Sequence, residues 1–558
     1  MKKQLFKLNT LISSIILILL GLAVVSCVIV LDNRMNPEFE LSEIVIDETN
    51  YENIVAGKET SKVALSTDVY IGDEKLIYDQ VDNTFYYSIV DGEDESDEYM
   101  TLSTERNSVK DAISGNYLKA ALLDGDEPQL IIYNKNQVSV SSFVTTTLPV
   151  MNINISAETV SELGLDETYA IEEYTAASMS LYDNRSDFDD AVRTTDSDIK
   201  IHMRGGTTIN APQKSYRITL LNNGDDMDKT KKEKLLGMRS DDDWILFSAY
   251  SDYEKIRTVF SMNLWEQMAS KDNEWQAEVS NQYQYIELFF NGRYHGLYAL
   301  ATPIDNKSFD IKDGETLFKK KDWSGSEFSQ DLEYVEYEDG SGVEMLPGYS
   351  IKDGDAAAYE TLHELYYNLA YSKDSELIRS SCDVENSIDL WLFYKITQAV
   401  DNVYGTNVKN LYVGTKESAT GVDGYKLLFS PWDMDQTWGN RFVDGQGSHG
   451  ITSYYNATDY DLPMEWSPVY FLQQCGDEEI IEQVQQRYQE LRESVLSDES
   501  LTQAIADYEV DIYDSGAFER TMNRWPDGNY YDPAVKLDDF ESFVLQRMKY
   551  MDGYIESL

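Results

Sequence analysis

The chain has 558 residues, 42% hydrophobic and 12% aromatic, enough to bury a large core and to fill more than one domain, which excludes a disordered chain. Its 100 Asp and Glu against 46 Lys and Arg give a formal net charge of -54. A field of that sign repels nucleic acid and anionic lipid surfaces and leaves basic proteins or metal cations as partners, beside its plain effect on solubility. Three cysteines, Cys27, Cys382 and Cys475, give no disulfide framework, and four scattered histidines with no H-E-x-x-H argue against a zinc site.

Taken in chain order, Lys2, Lys3 and Lys7 precede an uncharged run at residues 11–31. At ~1.5 Å per residue this run is just long enough to span a hydrocarbon core. Positive flanks stay inside, so the remainder is expected outside the cytoplasm. Residues 1–31 read either as an uncleaved signal anchor or as a lipoprotein signal in which "VVSC" ends at Cys27. The apolar residues beyond Cys27 favour the anchor, and both readings tether the chain to an outer membrane face. Residues 32–60 read as a linker. Residues 61–147 carry strand-like runs, "KLIYDQVDNTFYYSIV" and "PQLIIYNKNQVSVSSFV", and read as a small β-rich extracytoplasmic domain that acts as a spacer or binding module.

From Leu148 to Leu558 the pattern is α+β. "DIKIHMRGGTT" is a strand entering a Gly-Gly turn, and "QKSYRITLL" a second strand carrying Lys214 and Arg217. Residues 256–270 place Ile256, Val259, Phe260, Leu264 and Met268 near one helical face. Tyr283 to Leu300 is a hairpin turned by Asn291-Gly292. The lysines of "TLFKKKDW", Lys319 to Lys321, read as a solvated loop, with contact to substrate or phosphate as the alternative. "NSIDLWLFYKITQAVDNV" is an apolar helix that stops at Asp401-Asn402, and "KNLYVGT" with "YKLLFSPWDMD" forms a second hairpin around "ESATGVDG". Helices fill the rest from Ser467.

This order presents a glycine turn, a strand lysine, a helix, a hairpin, an Asp at a helix end, a strand Asn and a strand ending in paired acids. Protein kinases place their phosphate loop, phosphate-binding lysine, helix C, catalytic aspartate and two metal ligands in the same order. Phosphoryl transfer needs a cation on the phosphates, hard oxygen ligands for a divalent ion and a carboxylate facing the hydroxyl. Lys214, Asn410, Asp433 and Asp401 supply those types. No G-x-G-x-x-G, H-R-D or D-F-G is present, and a Ca²⁺ site at Asp433 and Asp435 that merely stabilises a loop stays open.

Four segments resemble the spore coat protein H (CotH) kinases: "MRGGTTINAPQKSYRITL", "FFNGRYHGLYAL", "DNVYGTNVKNLYV" and "FSPWDMDQTWG". The resemblance implies an atypical, bilobal protein-kinase-like fold over residues 148–558 and an ATP-dependent kinase requiring Mg²⁺ or Mn²⁺. Its substrates would be Ser or Thr of coat, wall or secreted proteins, for which a basic Ser-rich protein fits the charge. It makes Lys214 the phosphate-binding lysine and Asp401 the catalytic base. Asn410 and Asp433 become metal ligands, with Asp435 a further ligand or a supporting acid. Arg204, Gly205, Gly206, Thr207 and Thr208 would line the nucleotide phosphates. Arg217 reads as a solvated or paired surface charge. Thr302 stands where the family often has Glu, and Glu266 is the candidate helix partner of Lys214. The competing function is a surface or adhesion protein that keeps the scaffold as a binding module.

Overall fold

A computed structural model describes residues 24–90, 98–102, 109–188, 192–224, 226–269, 271–323, 348–355, 357–440, 462–526 and 536–558, with the short pieces 335–336, 343–344, 346 and 457–458. The predicted membrane run lies largely outside them, since residues 11–23 are not described. Among the described residues no helix is long and apolar enough to cross a membrane. Strands and helices are both plentiful, as the α+β reading expects.

The chain divides into two compact units. The first comprises Met1–Ser156, Ala177–Ser197 and Glu287–His295. Its main sheet holds β1 (Thr84–Ser88), β2 (Lys119–Leu123), β3 (Gln129–Tyr133) and β4 (Gln137–Thr146), in the order β2-β3-β4-β1. These strands are short and rich in β-branched and aromatic residues. They bury Phe85, Leu130, Ile132 and Phe143 in one cluster with Met100.

The second unit comprises Ala157–Ala176, Asp198–Ile286 and Gly296–Leu558. It opens on an antiparallel ladder of β5 (Thr194–Arg204, from Asp198 on), β6 (Ser215–Leu221) and β7 (Asp243–Phe247). The last pair of the β5–β6 register is Arg204 with Ser215. α1 (Arg257–Ala269) follows; the hairpin strands β8 (Tyr283–Phe290) and β9 (Arg293–Ala301), whose tip at Glu287–His295 counts with the first unit, turn at Asn291-Gly292 with φ of 50° and 79°, the left-handed pair such a turn requires.

A second antiparallel sheet has the order β11-β10-β12-β13, from β10 (Thr316–Lys320), β11 (Tyr349–Asp353), β12 (Leu411–Val422) and β13 (Tyr425–Pro431). Here two expectations are corrected. Lys319 and Lys320 lie in a strand and not in a solvated loop, because Leu317 and Phe318 fill the core and Lys320 is fully buried with them. The second hairpin turns only at Asp423-Gly424, since β12 continues to Val422 across an irregular register.

Behind this sheet lies α4, preceded by α2 (Ala358–Tyr371) and α3 (Ser375–Ser381) and spanning Val384–Thr397. Asp383 caps it by accepting from the Asn386 N–H at 2.9 Å. From Asn386 to Thr397 every residue is buried, as an apolar helix without a polar face must be. Asn386 exchanges two hydrogen bonds with the Phe429 backbone, at 3.0 and 2.8 Å, fixing the helix against β13. At the other end Arg547, on the C-terminal helix Asp538–Glu556, is buried and donates to the carbonyls of Lys395 and Ile396. Those are orphan acceptors of a helix C-terminus, so the helix stops there and the chain turns into Asp401.

Candidate active site

The ends of these elements meet in a cavity of about 400 Å³, within the ~300–1,000 Å³ usual for small-molecule sites. Its lining includes Arg204, Gly205, Gly206 and Thr208 from the turn after β5, and Ser251, Thr258, Lys319 and Lys321. Asp401, Asn410, Trp432, Asp433 and Asp435 share the same lining. All of these belong to the second unit.

The acids are held by short polar ties. One oxygen of Asp401 pairs with the Lys409 ammonium at 2.8 Å, and the other accepts from the Asn410 amide at 3.4 Å. Asn402 donates to the carbonyls of Trp432 at 2.9 Å and Asn410 at 3.3 Å, tying the turn at Asp401 to both strand ends. Asp435 accepts from the Ser251 hydroxyl at 2.9 Å, and its own carbonyl accepts from Asn440 at 2.8 Å. Helix α1 braces the same segment from behind: the Arg257 guanidinium donates to the Thr437 carbonyl at 3.2 Å, and the Trp438 indole to Ser261 at 2.9 Å.

Asn410 and Asp433 both adopt left-handed backbone, with φ of 51° and 61°. Asn and Asp tolerate that region best among residues with a side chain, and each such residue still costs roughly 1–3 kcal/mol. The strain falls on the two strand ends that aim oxygens into the cavity. Gly205 has a φ of 139°, and a Cβ there would come within 2.6 Å of the Thr208 hydroxyl, so only glycine lets the turn fold this tightly.

Burial pushes the Asp435 carboxyl up to about 8, with the charge of Asp433 the next cause. Asp433 is also raised, first by burial; Arg204 opposes that shift and Asp401 adds to it. Lys319 moves the other way, down to about 8, through burial and then the neighbouring Arg204. A divalent cation between the carboxylates would let both ionise, which is the electrostatic demand of an ion site. Among the described residues no group of three or more His, Cys, Asp and Glu could hold a metal ion by itself. An ion here would therefore complete its coordination from the Asn410 amide, water and phosphate, as Mg²⁺ sites with few carboxylates do.

Of the residues the sequence nominated, Arg204, Gly205, Gly206, Thr208, Asp401, Asn410, Asp433 and Asp435 come together in this lining. Thr207 opens a single 3-10 turn, Thr207–Asn210. Lys214 is not among the lining residues; its ammonium donates to the Ile209 carbonyl at 2.9 Å and so braces that turn. Glu266 accepts from Gln282 at 2.7 Å and, among the described residues, makes no ion pair with Lys214. Arg217 pairs with Asp243 at 2.7 Å, and the Thr302 hydroxyl is buried, accepting from the Gln282 backbone at 3.0 Å. Sequence reasoning missed Ser251, Asn402 and Lys409, and held the cavity-facing position of Lys319 only as the alternative to a solvated loop. The alternation of "TLFKK" was the available signal for Lys319, hidden by the triple lysine.

A family model described as CotH kinase protein matches residues 201–551, more than half of the chain and every residue of this lining. No curated protein matches the chain.

Proposed function

Because the chain belongs to the CotH kinase protein family, we propose that it is an ATP-dependent protein kinase, transferring the terminal phosphoryl group to Ser or Thr hydroxyls of a coat, wall or secreted protein. The observation that supports this reading is one cavity in which Asp401, Asn410, Asp433 and Asp435 share the lining with Arg204 and Lys319. Phosphoryl transfer asks a protein for position and charge more than for covalent help, and this lining offers both signs of charge.

A Mg²⁺ or Mn²⁺ ion bound with the nucleotide would supply charge neutralisation at the phosphate oxygens. Asp433, Asp435 and the Asn410 amide oxygen are the groups to hold it. Asp401 would orient the substrate hydroxyl and take its proton, while Lys409 keeps its other oxygen occupied and the carboxylate in place. The turn from Arg204 to Thr208 would face the phosphates, and Lys214 would keep that turn rigid through Ile209. The ladder β5-β6-β7 and the helical C-terminal part are, in this reading, the two lobes of a kinase-like fold.

The same reading puts the bulk of the chain outside the cytoplasm, on the motive of Lys2, Lys3 and Lys7 before an uncharged run. A basic Ser-rich substrate fits the net charge of -54. The test is incubation of purified protein with labelled ATP and Mg²⁺ or Mn²⁺. Transfer of label to the chain itself or to a basic Ser-rich peptide supports the kinase; nucleotide bound without transfer overturns it in favour of a binding module. Protease added to intact cells should remove the protein, and full protection would overturn the location.

A further inference from the structure

Two cations in the cavity wall have no acceptor. The Arg204 guanidinium lies 5.0 Å from the ring centroid of Trp432, and the Lys319 ammonium lies 4.4 Å from the same centroid and 5.5 Å from that of Tyr412. Among the described residues neither makes a hydrogen bond or an ion pair. Of the other cations nearby, Lys214 is tied to the Ile209 carbonyl, Lys409 to Asp401, Arg217 to Asp243, and Arg257 to Asp252 and Glu254, while Lys321 shares the lining and Lys352 adds positive charge beside Lys319. Both are half-buried, and an aromatic face returns only ~0.5–2 kcal/mol to a cation. Two like charges on one indole also repel each other. The Asp433 carboxylate is the acid whose charge both cations feel, without a hydrogen bond to either, so the pair has room for an anion with several oxygens.

The sheet register explains how the lysine arrives there. Lys319 on β10 pairs with Tyr412 on β12, and Tyr412 pairs with Ser430 on β13, two residues before Trp432. Lys319 is thus carried to the end of the strand that presents Asp433.

We propose that Lys319 and Arg204, both held on the indole of Trp432, form a two-cation clamp for the polyphosphate of the nucleotide, with Lys319 in place of Lys214 as the lysine that touches phosphate and Trp432 as its positioning residue. The proposal rests on the nucleotide-dependent reading of this cavity. The carboxylates of the same lining would take the metal, next to the phosphates that the two cations hold. Trp432 keeps the cations oriented without neutralising them, which a carboxylate in its place would do.

The test is calorimetric titration of Mg²⁺·ATP, tripolyphosphate and adenosine into the full-length protein and its variants. Lys319→Met should weaken Mg²⁺·ATP and tripolyphosphate by about 10- to 100-fold and leave adenosine unchanged. Trp432→Leu should weaken both phosphate ligands by about 5- to 10-fold, and Trp432→Phe should recover most of that loss because a π face remains. Lys214→Met, which loosens the Arg204–Thr208 turn without removing a phosphate contact, should weaken both phosphate ligands less than Lys319→Met does. Lys319→Met with unchanged phosphate binding, or Lys214→Met with the larger loss, overturns the clamp. If wild type transfers phosphoryl groups and Lys319→Met does so with the same KM, the clamp falls and the kinase reading stands. If tripolyphosphate binds through Lys319 but no phosphoryl group is ever transferred, the kinase reading falls and the clamp stands. Wild type binding no phosphate compound at all removes both.

Discussion

Asp435→Asn should make the metal-free protein more stable while making it a poorer metal binder. In the metal-free chain burial and then the Asp433 charge hold the Asp435 carboxyl up at about 8, against ~4 for an exposed one. A folded-state value above the unfolded one means that the folded form binds this proton more tightly. The group's contribution to stability is therefore complete below about pH 4 and is lost as pH rises toward about 8. By pH 7 that loss spans about 3 pH units at ~1.4 kcal/mol each, a ceiling of about 4 kcal/mol. Asp433 shares the titration, so a measured gain of ~1–2 kcal/mol is expected. Asparagine has the same shape and still accepts from the Ser251 hydroxyl, so little else changes. A divalent ion at 100 times its Kd would stabilise wild type by ~2.7 kcal/mol, and the variant should lose most of that. Denaturant unfolding in EDTA and in Mg²⁺·ATP, at pH 5 and pH 7.5, reads both effects. The gain in EDTA should be clear at pH 7.5 and small at pH 5. A variant that is less stable than wild type in EDTA at both pH values, with its full Mg²⁺·ATP response, refutes the reasoning.

Other outcomes follow from the same geometry. Asp401→Asn should lower kcat by on the order of 10² or more while Mg²⁺·ATP binding stays within about twofold, and Asp433→Asn should instead raise the metal concentration needed for half-maximal activity; equal effects from both would dissolve the distinction between base and ligand. Arg257→Met leaves Asp252 and Glu254, which the guanidinium reaches at 2.7 and 2.6 Å, without their cation, and should cost ~3–5 kcal/mol in urea unfolding. Asp511 is raised to about 6 by burial and then Asp507, so its contribution is present below about pH 4 and lost as pH rises to about 6. Asp511→Asn should thus stabilise the protein by ~1–3 kcal/mol at pH 7 and not at pH 4, and a gain independent of pH would show another cause.

Local patterns in the sequence determined much of this protein. Asn291-Gly292 dictates its hairpin because only a left-handed pair matches the twist of the flanking strands. The unbroken apolar run before Asp401 dictates a helix buried all round, and the strand that ends at Pro431 dictates where Asp433 and Asp435 emerge. Asn410 and Asp433 suit their left-handed positions through their own side-chain chemistry. What no local pattern contains is which distant side chains share a space. Lys214 stands just before β6 and Lys319 within β10, which no local periodicity separates as to role; the register of β10 with β12 turns Lys319 toward Trp432, while the turn after β5 captures Lys214 through Ile209. Lys409 and Asn402 likewise read as loop polars until the fold sets them against Asp401 and the ends of two strands. Tertiary structure decided these because cation placement depends on strand register and on the desolvation of a cavity built from segments more than a hundred residues apart.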